Sequence, residues 1–137
     1  MLIGVIDGQG GGMGSLIVRR LREEFGEEVE ILALGTNATA TSAMMKARAN
    51  RGATGENAII HNARKVDFII GPLSIIVANG MLGELTPGMA EAISSSTAKK
   101  ILIPLNQEGI EVAGLRKEPL PHLVDEVIDH LKRHINT

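Results

Sequence analysis

Asp7-Gly8-Gln9-Gly10-Gly11-Gly12-Met13-Gly14 sets five glycines within seven residues, behind an acid and between an apolar run and a helical stretch. A strand-to-helix turn of this composition lets backbone N–H groups close on an anion, and the helix N-terminus adds partial positive charge. The competing reading is a tight turn that only packs helix on strand. Against the dinucleotide fingerprint, Gly8, Gly10 or Gly11, and Gly14 fill the three glycine roles. The spacing is Gly-x-Gly-x-x-x-Gly, one residue longer than the strict form. Asp7 has two chemistries open to it: a hard oxygen ligand for Mg²⁺ bridging to a phosphate, or an acceptor for the N–H groups of its own turn. Turn chemistry favours the second, and no metal site is expected. Gly12-Met13-Gly14-Ser15 echoes the end of a P-loop without its lysine, which argues against ATP hydrolysis.

Three other stretches turn small or polar at the end of an apolar run: Gly35-Thr36-Asn37, Gly71-Pro72-Leu73-Ser74 and Pro104-Leu105-Asn106. In open α/β sheets, ligands bind at the carboxyl ends of the strands. The expected site is therefore Asp7 to Gly14 with Thr36, Asn37, Gly71, Pro72 and Asn106. A nicotinamide dinucleotide would call for an acid roughly 20 residues past the glycines, on the ribose hydroxyls. Thr36 and Asn37 stand there instead, and no arginine follows to favour NADP. The ligand class is a phosphate-bearing small molecule of nucleotide type, with NAD(P) one candidate and the cofactor left open.

Further polar groups surround this set. Thr39, Thr41 and Ser42 either cap a helix or form a second anion cradle. Thr54 reads as a helix cap, and Glu56 as a ligand contact or general base. Asn79 and Glu84 interrupt an apolar stretch, and either find partners in a pocket or on a neighbouring subunit or stand exposed on a helix surface. His130 and His134 are one helical turn apart on the solvated side of the last helix, and His122 stands at its start.

These residues need elements to hold them. Leu2 to Ile6, Val29 to Leu34, Val66 to Ile70 and Lys100 to Leu105 read as strands, with a short fifth near Ile110 to Ala113. Helices are expected after the glycine loop (Leu16, Ile17, Leu21 and Phe25 inward), from Thr39 to about Ala49, after Thr54, over Leu73 to Leu85, from Thr86-Pro87, and from Pro121 onward. The last should bury Leu123, Val124, Val127, Ile128, Leu131 and Ile135. The alternation predicts one α/β domain over residues 1–137: a three-layer Rossmann-like arrangement with a mainly parallel sheet of four to five strands.

Composition narrows the function. The 137 residues are 44% hydrophobic with two Phe, no Tyr and no Trp, so the core rests on aliphatic side chains. A net charge of −2 without a basic run, and without stacking aromatics, argues against nucleic-acid binding. With no cysteine, thiol chemistry and Cys-based metal sites are excluded. No apolar run reaches membrane-spanning length and the opening lacks a basic leader, so a cytoplasmic location away from membranes is expected.

The stretches VIDGQGGGMG, ALGTNATATSAM, GATGENAI, IIGPLSIIVANGMLGELTP, ILIPLN and EPLPHL together resemble a family of small bacterial proteins catalogued only as a domain of unknown function. The resemblance covers essentially the whole chain. It implies a small cytoplasmic Rossmann-like protein and carries over no substrate or catalytic residue. Three functions remain in view: a binding or sensing module, a small oxidoreductase or transferase whose site is completed across a dimer, and a structural oligomer joined through residues 73–85. A homo-oligomer is expected.

Overall fold

The computed structural model describes residues 1–104 and 109–135. Strands β1 (Leu2–Asp7), β2 (Glu30–Gly35), β3 (Arg51–Thr54), β4 (Phe68–Pro72) and β5 (Lys99–Ile103) form one sheet in the order β3-β2-β1-β4-β5. Every pairing is parallel, with Ile3 opposite Ile31 on one side and Phe68 on the other. A parallel sheet needs cover on both faces, and the strand sequences supply apolar side chains to both. Ile3, Val5, Ile31 and Ile70 point into one core with α1 (Gly12–Phe25), α2 (Ala38–Lys46) and α5 (Leu120–Ile135). Ile6, Leu34 and Ile69 point into the other with α3 (Glu56–Ala63) and α4 (Pro87–Ser95). This is the expected three-layer Rossmann-like α/β fold.

Local chemistry sets several helix ends. Asn37 caps α2, its side chain accepting the Ala40 N–H at 2.8 Å. Thr86 caps α4 by accepting the Met89 N–H at 3.1 Å, with Pro87 pre-set for the first turn. The α5 stripe Leu123, Val124, Val127, Ile128 and Leu131 is buried as expected, with Ile135 at its margin. Among the described residues no helix is long and apolar enough to cross a membrane.

Four expectations are corrected. Arg51–Thr54, read as following a helix end, is an edge strand parallel to β2. Thr54 does not cap α3; Gly55 stands at that position and the Thr54 hydroxyl meets that of Thr41 at 2.8 Å. Leu73–Leu85 is not a helix. It holds a single 3-10 turn, Leu73–Ile76, and then Asn79, Met81, Leu82 and Gly83 take φ of 63°, 55°, 56° and 92°, which no right-handed helix contains. Ile110 to Ala113 makes no strand and is exposed. Leu105 and Asn106 lie outside the described residues.

The sheet order carries the functional consequence. From β1 the chain steps outward to β2 and β3, then crosses to the other side of β1 to form β4. The loops leaving β1 and β4 therefore diverge and leave a crevice between them.

Candidate functional site: the crevice between β1 and β4

The crevice is a cleft of about 540 Å³, lined by residues 7–13 on one side and by Pro72, Ser74 and residues 77–82 on the other. No lysine, arginine or histidine is among these lining residues.

The loop amides divide between those bound within the fold and those facing the cleft. The Gly8 N–H donates to Asp7 Oδ1 at 2.8 Å and the Gly14 N–H to Asp7 Oδ2 at 2.6 Å. The Gly11 N–H donates to the Gly8 carbonyl at 2.9 Å, and the Gln9 N–H to Glu84 Oε1 at 2.8 Å. Among the described residues, the N–H groups of Gly10, Gly12 and Met13 meet no acceptor, and all three residues line the cleft. Gly12 and Met13 open α1, so their amides belong to the unpaired, partly positive end of a helix. Across the cleft, the nearly buried Ser74 brings a hydroxyl without a described partner.

Asp7 takes the turn-acceptor role. It is 5% exposed, and burial pushes its carboxyl above the usual 3.8. The Gly14 and Gly8 amides pull the other way, and the charge of Glu84 adds to the rise. Glu84 shows the opposite balance. Its carboxyl lies below the usual 4.5, chiefly through the Gln9 amide, against some desolvation and with further help from Thr36 and Asn37. Those two side chains donate to Glu84 Oε1 at 2.7 and 2.8 Å.

The expected site residues thus divide. Asp7, Gly8, Gln9, Gly10, Gly11, Gly12, Met13 and Pro72 line the cleft. Gly14 is a packing glycine, since a Cβ there would lie 2.7 Å from Met44 Sδ. Gly71 is another, with the Ile6 carbonyl oxygen 2.3 Å from the same point. Thr36 and Asn37 do not line the cleft but meet Glu84, and Asn106 lies outside the described residues. Glu56 accepts the Thr86 hydroxyl, while His61 pairs with Lys65 at 2.7 Å, so both serve α3 and its surroundings. His134 sets its ring against Phe68, centroids 5.8 Å apart.

Ser74, named with the β4 strand end, lines the cleft, whereas Val77, Ala78, Gly80, Met81 and Leu82 were not expected there. The signal available was Asn79-Gly80 followed by Gly83, turn punctuation that outweighs the apolar run around it.

Solved structures with related folds include a nucleoside-diphosphate-sugar epimerase from Pseudomonas aeruginosa, with a TM-score of 0.52 and 14% identity. That match covers 98% of this chain and 47% of the epimerase, so the protein spans about half of its length. A dodecameric FMN-dependent UbiX-like decarboxylase from Escherichia coli O157:H7 follows at a TM-score of 0.45 and 19% identity, covering 96% of this chain and 74% of that one. A universal stress protein in complex with cAMP gives a TM-score of 0.42 and 18% identity over 74% of this chain and 95% of that one. At such identities the likeness is one of fold. No relative was found among curated proteins. The model of a domain of unknown function, DUF3842, matches residues 2–136, nearly the whole chain, and the protein belongs to that family.

Proposed function

We propose that the protein is a binding or sensing module whose cleft takes a nucleotide-type, phosphate-bearing small molecule. The observation that carries this is the set of three unspent amides, Gly10, Gly12 and Met13, gathered at the point where strand order reverses. The phosphate accepts from those amides at the start of α1. The Ser74 hydroxyl lies on the opposite wall, and Val77, Ala78, Met81 and Leu82 offer apolar surface to a base or ring. The cleft volume falls within the range of small-molecule sites.

With no cation in the lining and the carboxylates of Asp7 and Glu84 close behind it, a single phosphate suits the loop better than a pyrophosphate. A mononucleotide-scale ligand is therefore favoured over an intact NAD(P). Asp7 is committed to two amides of its own loop, which supports a structural role for it in a binding site. Self-association through the loop bounding the cleft finds support in Leu82, 88% exposed.

Thermal shift with AMP, ATP, NAD, NADP, coenzyme A and S-adenosylmethionine tests the reading, because a ligand of the folded state raises its melting temperature. A Gly10→Asp variant is the control, since a Cβ there meets nothing within 4 Å while the new carboxylate opposes a phosphate. A shift of several degrees in the wild type, lost in the variant, is the expected result. No shift with any of these at millimolar concentration contradicts it.

A further inference from the structure

Three donors from two separate loops converge on one oxygen. Glu84 Oε1 accepts the Gln9 N–H at 2.8 Å, the Thr36 hydroxyl at 2.7 Å and the Asn37 side-chain amide at 2.8 Å. Such convergence is how proteins stabilise an oxyanion, and here a side chain of the protein fills the place. Gly8 makes the room for it. A Cβ at residue 8 would stand 2.5 Å from Thr36 Oγ1, 2.6 Å from Met81 Sδ and 3.1 Å from Glu84 Oε1.

The donors are anchored without Glu84. The Thr36 N–H is bound to the Asp7 carbonyl at 3.0 Å, extending the β1–β2 ladder. Asn37 caps α2 through its oxygen, and its amide also donates to the Gln9 carbonyl at 3.0 Å. Glu84, by contrast, arrives on the segment where Asn79, Met81 and Leu82 hold left-handed backbone that side chains disfavour. Met81 and Leu82 of the same segment line the cleft. The acid in the cradle and one wall of the cleft are thus carried by one strained loop.

We infer that Gln9, Thr36 and Asn37 form an oxyanion cradle in which Glu84 is a resident and displaceable occupant, and that a phosphate or carboxylate oxygen of a small molecule takes its place. Displacement releases residues 77–83 and changes the wall of the neighbouring cleft. The cradle does not depend on what the cleft itself binds and stands or falls separately.

The test uses inorganic phosphate on the full chain, with sodium chloride at matched ionic strength as reference. Glu84→Ala empties the cradle and should show a saturable, phosphate-dependent rise in melting temperature, with affinity about tenfold or more above wild type. Adding Thr36→Val, which removes one donor without changing side-chain size, should abolish most of that gain. If Glu84→Ala does not fold, Glu84→Gln, which removes the charge and keeps the side-chain size, is measured instead and should bind phosphate more tightly than wild type. Phosphate affinity unchanged from wild type overturns the proposal and leaves Glu84 a structural tie. A gain that survives Thr36→Val places the phosphate elsewhere and overturns it equally.

Discussion

The carboxylate of Asp7 accepts the N–H of Gly14, seven residues further on, at 2.6 Å. With its other oxygen on the Gly8 amide, one buried acid closes both ends of the glycine loop. The acid in front of the glycines is therefore part of the loop's construction. It consumes two amides, while those of Gly10, Gly12 and Met13 have no acceptor among the described residues.

Replacing Asp7 should therefore cost stability before it alters any ligand contact. Asp7→Asn keeps one acceptor oxygen and turns its amino group toward an N–H, stranding a buried donor at about 1–3 kcal/mol. Urea denaturation measures this. Wild-type stability in Asp7→Asn would mean that the cost of burying the charge outweighs both hydrogen bonds.

The glycines should separate into two classes. Gly14→Ala forces a Cβ to within 2.8 Å of the Asp7 Cβ and 2.7 Å of Met44 Sδ, which predicts a loss of about 1–3 kcal/mol from overpacking. Gly12→Ala meets nothing within 4 Å and lies in the first turn of a helix, so it should be neutral or stabilising by up to about 1 kcal/mol. Equal destabilisation by both, in thermal melts, would contradict this division.

Acid titration should reveal opposite contributions from the two carboxyls. Glu84 has a folded pKa below 4.5, so it supports the fold above that value and its contribution is lost as pH falls through the folded pKa. Asp7 has a folded pKa above 3.8, so its ionised form is penalised at neutral pH and acidification relieves the penalty. Between about pH 3 and pH 6, Glu84→Gln should flatten the acid loss of stability and Asp7→Asn should steepen it. Melting temperatures across that range check the signs, and parallel slopes in all three proteins would refute them.

What was legible in the sequence follows physical lines. Leu2–Asp7, Glu30–Gly35 and Phe68–Pro72 announced themselves because strands covered on both faces are continuously apolar. Arg51–Thr54 did not, since an exposed edge strand needs no apolar run and owes its form to pairing with β2. The 73–85 stretch is apolar for a reason that helical propensity does not capture. Leu85 is buried in the core while Met81 and Leu82 wall the cleft, and left-handed residues turn the chain between them. Ile110 to Ala113 has a strand's alternation but no ladder in the structure, and side-chain pattern alone cannot supply one. Of the strand ends singled out in the sequence, those of β1 and β4 line the cleft, while Thr36 and Asn37 after β2 do not. The contact of Thr36 with Glu84, 48 residues away, was not legible, because local sequence does not encode which polar groups a loop brings together.

The central claim is that the free amides of Gly10, Gly12 and Met13 receive the phosphate of a small-molecule ligand, and a chain of 14.5 kDa suits a direct look. Amide proton–nitrogen spectra of the labelled protein, titrated with AMP and then the other nucleotides, follow each loop N–H individually. Saturable shifts are expected at Gly10, Gly12 and Met13, with the Gly14 amide, held by Asp7, moving far less. Spectra in which those three amides stay still under every nucleotide, or in which the shifts gather away from the cleft, would contradict it.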